Sequence, residues 1–419
     1  MRIMLMSFPT RTHIYSLAPV GWALQSAGHE VRYVGQRNPS EVGPFLETGL
    51  DCMWVGGDFD IAKHRQNGDN GDNSMDTPYK LSESRPEMLT DEFVSGVYET
   101  TAAMIRHINP DSLINEALRF AKQWRPDLIV WDPLIYAAPL VAKAVGAAHV
   151  RVMYAADQNA RVHFEYEKLK QRRPDVAWPD PLQDWMSAWL ARHGCAFDES
   201  LRFGMATIDP TPSCIPFDLP VDYLRMRFVS VNRPLTVADW VYEQPEKPRV
   251  LLTLGVSNRQ VHGEEQASVS DLLAGLGELD IEVLATLDEK QLASVGHVPP
   301  NVRAAGFLPM HEVLASCSAI VHQGGGATVG NAAVNGVPQL IVPGTTWSER
   351  ASAVAQEERG YGLFIDLEDI TADRVRDQVR RLLEDPSFRE NAAEVRREIL
   401  GTPSMLDLVP ELEAMAGAR

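Results

Sequence analysis

An apolar strand, a glycine-rich turn and a small-residue helix follow one another in Ala319-Ile320-Val321-His322-Gln323-Gly324-Gly325-Gly326-Ala327-Thr328-Val329-Gly330-Asn331. This order points the unpaired N–H groups and the positive dipole end of the helix at whatever lies above the turn. It is therefore typical of an anion site at the carboxyl end of a parallel strand. The glycine spacing departs from GxGxxG and no Walker lysine follows, so a dinucleotide site and a P-loop are poorly supported.

Strands and helices alternate on both sides of this stretch. Apolar runs predict strands at residues 249–254, 281–286, 302–305, 319–321 and 339–342, with helices between them. Strand–helix–strand patterns at residues 3–34 and 127–153 predict a similar domain in the first half. The proline-containing segment 231–248 is interpreted as a linker. The predicted fold class is therefore α/β, with two doubly wound, Rossmann-like domains at residues 1–230 and 249–400 facing a central cleft.

The charge balance argues against several kinds of partner. The chain has 419 residues, and its 39 Lys and Arg against 57 Asp and Glu give a net charge of −18. Such a field repels polyanions, so we expect neither nucleic acid nor an anionic membrane as a partner. No apolar run reaches the ~20 residues of a membrane-spanning helix. The four cysteines form no CxxC pair, which favours neither a zinc site nor a disulfide framework, and we expect a cytoplasmic protein.

The glycine-rich stretch resembles a known signature. Residues 322–328, followed by Gly336-Val337-Pro338-Gln339 and Pro343, resemble the HxGGxGT…GVPQ…P donor motif of family 1 glycosyltransferases of the GT-B fold. Residues 12–19, 252–259 and 302–309 are similar to that family's catalytic-histidine segment, the first turn of its C-terminal domain and its nucleobase-facing loop. The similarity covers essentially the whole chain. It is strongest to actinobacterial enzymes, such as the erythromycin desosaminyltransferase, that attach deoxysugars to macrolides and aromatic polyketides.

The resemblance implies an inverting transfer of a deoxysugar from a dTDP-sugar to a hydroxyl of a polyketide or macrolide. Such a reaction needs a base on the acceptor side and anion stabilisation on the leaving-group side. His13, at the start of the first predicted helix, is the expected base, and a helix-capping histidine is the structural alternative. Asp132 is the expected carboxylate partner of His13, with Asp157 as the alternative, although each aspartate also suits a helix cap.

On the donor side, the resemblance implies contacts to each part of the nucleotide sugar. The diphosphate is expected to meet Ser257, His322, Gly324, Gly325, Gly326, Ala327 and Thr328. The nucleobase is expected against Phe307, Leu308 and Pro309, and the sugar against Trp347, Ser348 and Glu349. No metal or other cofactor is expected beyond the dTDP-sugar, since no carboxylate pair with metal-ligand spacing accompanies the site. Two residues depart from the family pattern: Ala327 replaces a glycine, and Ser348 replaces an aspartate whose role Glu349 is a candidate to fill.

Further partners are expected from the same resemblance. A hydrophobic acceptor is expected to bind apolar residues of the N-terminal loops, namely Phe8, Trp54, Met75, Tyr79, Met88 and Phe93. The aromatic-rich segment 157–204 and the polar loop after Asp58 are candidate docking surfaces for an auxiliary cytochrome-like activator protein. A homodimer is a further hypothesis, and the tail 401–419 is expected to cross back to the first domain.

Two other functions stay open on the sequence alone. The departures at Ala327 and Ser348 favour a non-catalytic GT-B protein that binds a nucleotide sugar or stabilises a partner enzyme. A sugar-nucleotide epimerase of the same fold is the weaker alternative. Formation of a glycosylated product distinguishes a transferase from both, because an epimerase releases nucleotide and altered sugar without an acceptor.

Overall fold

The computed structural model describes residues 1–39, 42–60, 83, 85–212, 217–256, 265–293, 295–345 and 347–417. The first sheet contains β1 (Arg2–Met6), β2 (Glu30–Arg37), β3 (Asp51–Asp58), β4 (Leu128–Trp131), β5 (Ala148–Val152), β6 (Thr207–Asp209) and β7 (Tyr223–Arg225). The second contains β8 (Arg249–Thr253), β9 (Glu282–Ala285), β10 (Val302–Ala304), β11 (Ala319–His322), β12 (Gln339–Ile341) and β13 (Gly362–Phe364). Each sheet forms the core of one domain.

Both sheets are parallel and share one strand order. The first runs β3-β2-β1-β4-β5-β6-β7 and the second β10-β9-β8-β11-β12-β13. The order reverses between β1 and β4 and again between β8 and β11, and ligands of open parallel sheets bind in the crevice at such reversals. The prediction of two doubly wound α/β domains is confirmed.

The helices lie between these strands. Those of the first domain are Arg11–Ser26, Gly43–Glu47, Asp91–Ile108, Asp111–Trp124, Ala137–Val145, Gln158–Arg172, Pro181–Ala191 and Ser200–Phe203. Those that follow β8 are Val269–Gly277, Glu289–Ala293, Met310–Val313, Gly326–Asn335, Glu349–Arg359, Ala372–Glu384, Pro386–Gly401 and Met405–Gly417. In the part of the chain that the structure describes, no helix is long and apolar enough to cross a membrane.

The strands of the first sheet are buried on both faces. Met4 and Met6 of β1 join one apolar cluster, and the alternating residues Ile3 and Leu5 join another on the opposite face. This explains the uninterrupted apolar run at the start of the chain, since helices cover both sides of a parallel sheet.

Two segments cross between the domains. The helix Met405–Gly417 packs on the first domain, because its apolar side chains, Leu412 among them, join the cluster that contains Ile3. The segment interpreted as a linker is partly a component of the second domain. Its 3₁₀ turn Asp239–Tyr242 places Val241 in the apolar cluster that contains Leu251 of β8. The guanidinium of Arg303 lies 3.8 Å from the centroid of the Trp240 ring.

The packing of the last helix gives a stability prediction. We expect Leu412→Ala to lower the free energy of unfolding by about 2–5 kcal/mol, because it leaves a cavity in the core of the first domain. Leu406→Ala, on the same helix but 56% exposed, is the control and should cost less than about 0.5 kcal/mol. Differential scanning calorimetry of both variants measures the difference. Equal effects would show that the helix does not contribute to that core.

Candidate active site

His13 and Asp132 form a buried pair at the strand-order reversal of the first sheet. His13 Nδ1 lies 3.0 Å from Asp132 Oδ2, and neither residue exposes more than 8% of its surface. Asp132 Oδ2 also accepts the Phe8 N–H at 2.7 Å, and Oδ1 accepts the Leu134 N–H at 2.8 Å. The backbone after β1 and β4 therefore fixes the carboxylate. With a proton on Nδ1, His13 donates to that carboxylate and keeps an Nε2 lone pair that can accept a proton.

Asp157 has a different set of partners. Its carboxylate pairs with the buried guanidinium of Arg151, accepts the Tyr223 hydroxyl at 2.9 Å and accepts the Ala160 N–H at 3.0 Å. Asp157 thus caps the helix Gln158–Arg172 and stabilises the end of β5. The structure brings Asp132, and not Asp157, to His13.

Two aromatic rings flank His13. The Phe8 ring centroid lies 5.4 Å from that of the imidazole, in an edge-on arrangement. The Tyr154 ring centroid lies 4.2 Å away. Burial raises the pKa of the Tyr154 phenol well above its ordinary value, and the nearby charges of Asp132 and Glu349 act in the same direction. Tyr154 therefore lies between the His13–Asp132 pair and the glycine-rich turn of the second domain.

The turn after β11 is shaped by His322 and Gly324. Gly324 has φ +90°, and a methyl group there would lie 3.0 Å from Ile341 Cγ2 and 3.1 Å from Glu349 Cβ. Its N–H donates to His322 Nδ1 at 3.0 Å, and His322 Nε2 lies 2.9 Å from Gln339 Oε1. Glycine is needed here both for the left-handed backbone and for the close packing.

His322 was predicted to contact the diphosphate, and its ring has partners within the protein. Both ring nitrogens bond within the protein, and burial lowers the pKa of the imidazole to about 4. A neutral ring with Nε2–H directed at Gln339 cannot also donate from Nδ1, which accepts a hydrogen bond from the Gly324 N–H. His322 therefore holds the turn in shape.

The N-terminus of the helix Gly326–Asn335 faces the cleft. The N–H groups of Thr328 and Val329 donate to the Gly325 carbonyl at 2.9 Å and 3.0 Å. The preceding residues Gly325 and Ala327 are exposed, and the Thr328 side chain is partly so. Ala327 is helical and has no positive φ, so its methyl group requires no strained backbone. This helix end presents amide N–H groups and the positive end of its dipole to the cleft.

The other predicted donor residues have varied environments. Ser257 lies outside the described residues. Phe307 is 46% exposed, and the Arg233 guanidinium covers one face of its ring at 4.0 Å. Leu308 packs against the apolar cluster that contains Val241, and Pro309 is buried at a helix start. Of these three loop residues, the Phe307 side chain therefore has the most surface available for a base.

Trp347, Ser348 and Glu349 differ in what they face. Trp347 packs against the apolar cluster of the first domain. Ser348 is buried at the start of the helix Glu349–Arg359. Glu349 Oε2 accepts the Trp347 N–H at 2.8 Å, and burial raises the pKa of this carboxyl to about 7. Glu349 packs on Gly324 of the glycine-rich turn, and its charge raises the pKa of Tyr154.

The sequence interpretation missed Tyr154, Arg151 and Arg233. Tyr154 follows a parallel strand by two residues, which is the only local signal that could have identified it. Among the described residues, no group of three or more His, Cys, Asp or Glu side chains is arranged to hold a metal ion.

Comparison with known proteins gives consistent matches along the chain. The family model described as "Erythromycin biosynthesis protein CIII-like, N-terminal domain" matches residues 22–255, and the corresponding C-terminal model matches residues 270–415. The aclacinomycin-T 2-deoxy-L-fucose transferase of Streptomyces galilaeus is 39% identical over 99% of this chain and 96% of its own length. The 10-deoxymethynolide desosaminyltransferase of Streptomyces venezuelae is also 39% identical, over 99% of this chain and 97% of its own.

Solved structures agree with the sequence matches. The glycosyltransferase VinC in complex with dTDP superposes with a TM-score of 0.86 at 37% identity, and all of both chains is covered. The spinosyn forosaminyltransferase SpnP gives a TM-score of 0.81 at 37% identity over 100% of this chain and 99% of its own. These likenesses confirm the predicted GT-B fold.

The buried Glu349 carboxyl gives a pH prediction. Because its pKa rises from 4.5 to about 7 on folding, its contribution to stability is complete below pH 4.5 and is lost as the pH rises through about 7. We therefore expect Glu349→Gln to gain stability relative to the parent chain between about pH 5 and about pH 8, by up to about 3 kcal/mol at ~1.4 kcal/mol per pH unit.

Thermal melting across that pH range measures this gain. Glu358→Gln, an exposed substitution on the same helix, is the control and should follow the parent chain. Parallel stability profiles for Glu349→Gln and the parent chain would contradict the prediction.

Proposed function

Because the chain belongs to the family of erythromycin biosynthesis protein CIII-like glycosyltransferases, we propose that it transfers a deoxysugar from a dTDP-sugar to a hydroxyl of a macrolide or aromatic polyketide. Named relatives at 36–39% identity are deoxysugar transferases, so the binding-protein and epimerase alternatives are not favoured. The single observation that carries the mechanism is the buried His13–Asp132 pair. This pair belongs to the first domain, and the N-terminus of the helix Gly326–Asn335 belongs to the second.

On the acceptor side, His13 Nε2 takes the proton of the attacking hydroxyl. The bond from that oxygen to the anomeric carbon forms as the bond from this carbon to the phosphate oxygen breaks on the opposite face, which inverts the configuration. Asp132 holds the imidazole by its hydrogen bond to Nδ1 and stabilises the imidazolium that forms. Phe8, which is buried beside His13, belongs to the apolar wall expected for the acceptor.

On the donor side, the leaving diphosphate lies against the amide groups of Gly325, Gly326 and Ala327 and the Thr328 hydroxyl. These dipoles stabilise the developing charge without a metal ion. His322 and Gly324 act indirectly, by fixing the turn, and Ser257 is a further proposed contact. Phe307 stacks on the thymine, and Glu349 accepts a hydrogen bond from a sugar hydroxyl in place of the aspartate that Ser348 replaces.

The proposed partners beyond the substrates have less structural support. The aromatic side chains that suggested a docking surface at residues 157–204 are mostly used within the first domain: Trp189 and Tyr166 are buried, and Phe164 stacks on Phe203. Most of the polar loop after Asp58, including Met75 and Tyr79, lies outside the described residues. The auxiliary cytochrome-like activator, the homodimer and the cytoplasmic location stay predictions.

The proposed base gives a kinetic prediction. We expect His13→Ala to lower kcat by about 10²–10⁴-fold, the usual contribution of a general base. Asp132→Asn should act in the same direction, because it removes the carboxylate that orients His13. Product formation from a dTDP-deoxysugar and a polyketide acceptor, followed by mass spectrometry, measures the loss. His297→Ala, an exposed histidine of the second domain, is the control. Unchanged turnover of His13→Ala would rule out this mechanism.

The donor preference gives a binding prediction. We expect dTDP to stabilise the chain against thermal unfolding more than UDP or GDP does, by about 2.7 kcal/mol when dTDP is present at 100 times its Kd. Phe307→Ala should reduce this stabilisation, because it removes the exposed ring on which the base stacks. Tyr242→Ala removes another exposed aromatic ring, 64% accessible, and should leave the shift unchanged. A shift with UDP as large as that with dTDP would contradict selection of thymine.

A further inference from the structure

The segment that follows β5 contacts both halves of the proposed site. The Tyr154 ring lies on the His13 imidazole, with 4.2 Å between the ring centroids. The carbonyl oxygen of the same residue lies against Gly326, where a methyl group would overlap it. Ala155 reaches the same glycine, since that methyl group would lie 2.8 Å from its Cβ. One residue therefore touches the proposed base and the first residue of the diphosphate helix.

This segment is anchored on both sides. The Met153 N–H donates to Ile208 of β6 at 2.8 Å, and the Gln158 N–H donates to the Ala156 carbonyl at 2.8 Å. The buried ion pair of Arg151 and Asp157 joins the residues on either side of this segment. Arg151 Nε also donates to Thr207 Oγ1 at 3.2 Å. Residues 154–156 are thus held by the first domain on both sides, at the place where Gly326 of the diphosphate helix contacts them.

The second domain packs on the same segment beyond Gly326. Ala156 lies against the small apolar cluster of Val329, Ile341 and Ala353, which joins the diphosphate helix to β12 and to the helix of Glu349. The contact between the domains thus includes the residues that shape the donor site. It is continuous from the helix Gly326–Asn335 to the imidazole of His13.

We propose that Tyr154 is a positioning residue that couples the diphosphate helix to His13, so that the imidazole is held for proton transfer only when that helix is seated on the segment 154–156. This rests on the proposed function of His13 and of the helix end. The ring acts by packing on the imidazole, and the backbone carbonyl acts by its close approach to Gly326. On this account the lack of a side chain at position 326 permits the domain contact, whereas its amide N–H is one that any residue except proline would supply.

A double-mutant cycle on turnover tests the coupling. Tyr154→Leu should lower kcat at least tenfold with little change in the KM for the donor, and Tyr154→Phe should restore most of the activity because the ring is kept. Gly326→Ala should also lower kcat, since its methyl group pushes the segment away. If both act through the Tyr154 ring, the double variant should be little worse than the worse single variant.

Gly330→Ala is the matched control. Its methyl group meets the Phe228 ring, 2.6 Å from Cδ2, on the same helix but away from Tyr154, so its effect should multiply with that of Tyr154→Leu. Equal losses in Tyr154→Phe and Tyr154→Leu, or multiplicative losses for Tyr154→Leu and Gly326→Ala, would overturn the proposal.

Histidine NMR separates this inference from the proposed function. With ¹³C-labelled histidine, the His13 signal, assigned by its absence in His13→Ala, should shift when dTDP is added to the parent chain and should not shift in Tyr154→Leu. dTDP-dependent thermal stabilisation verifies that both proteins bind the nucleotide. If the parent chain transfers no sugar but this pattern holds, only the proposed function fails. A His13 signal that responds equally in both proteins overturns the coupling, whether or not the chain transfers sugar.

Discussion

Parallel pairing at two strand-order reversals determines where the His13–Asp132 pair and the glycine-rich turn lie. Met6 of β1 pairs with Trp131 of β4, so the chain segments that leave these strands, with Phe8 on one and Asp132 on the other, emerge side by side. In the second sheet, His322 of β11 pairs with Thr253 of β8, which brings the glycine-rich turn to the same kind of edge. Because the carboxyl ends of parallel strands share one edge, the proposed base and the proposed anion site arise from two copies of one arrangement.

On the proposed function, the site binds a negatively charged donor without surplus positive charge. The chain carries a net charge of −18, and burial keeps His322 neutral. The favourable interaction with the proposed diphosphate comes from backbone dipoles at the N-terminus of a helix. These dipoles are already oriented, so they need no reorganisation when charge develops on the leaving group. Glu349 fits the same pattern, since a carboxyl whose pKa lies near neutrality adds little repulsion when it is protonated.

Local signals predicted the large elements and the central residues of the site, and long-range contacts account for what was missed. The apolar run of β1, the glycine turn after β11 and the position of His13 are visible in short stretches of sequence. The strands β3, β6, β7 and β13 were not predicted, although β10 and β12 are as short as the last three of these. β6 and β7 lack the apolar run that marked most of the other strands. Gln339, one partner of His322, and Arg151 and Tyr223, two partners of Asp157, lie on other strands. These hydrogen bonds within the protein therefore could not be distinguished from ligand contacts. Tyr154 meets Gly326 of the other domain, and no spacing in the sequence signals that approach.

The chain passes between the domains twice, once near residue 230 and once before the helix Met405–Gly417. The Arg227 N–H donates to the Pro403 carbonyl at 2.7 Å, so the two crossings run beside each other. His29 Nε2, 3.0 Å from Glu413 Oε1, holds the last helix on the first domain. Two domains that are connected by two adjacent chain segments rotate easily about an axis through these segments. The paired connection resists rotation about other axes. A hinge of this kind favours one axis of opening of the cleft over the others. Closure about that axis brings the edges of the two sheets back to one alignment.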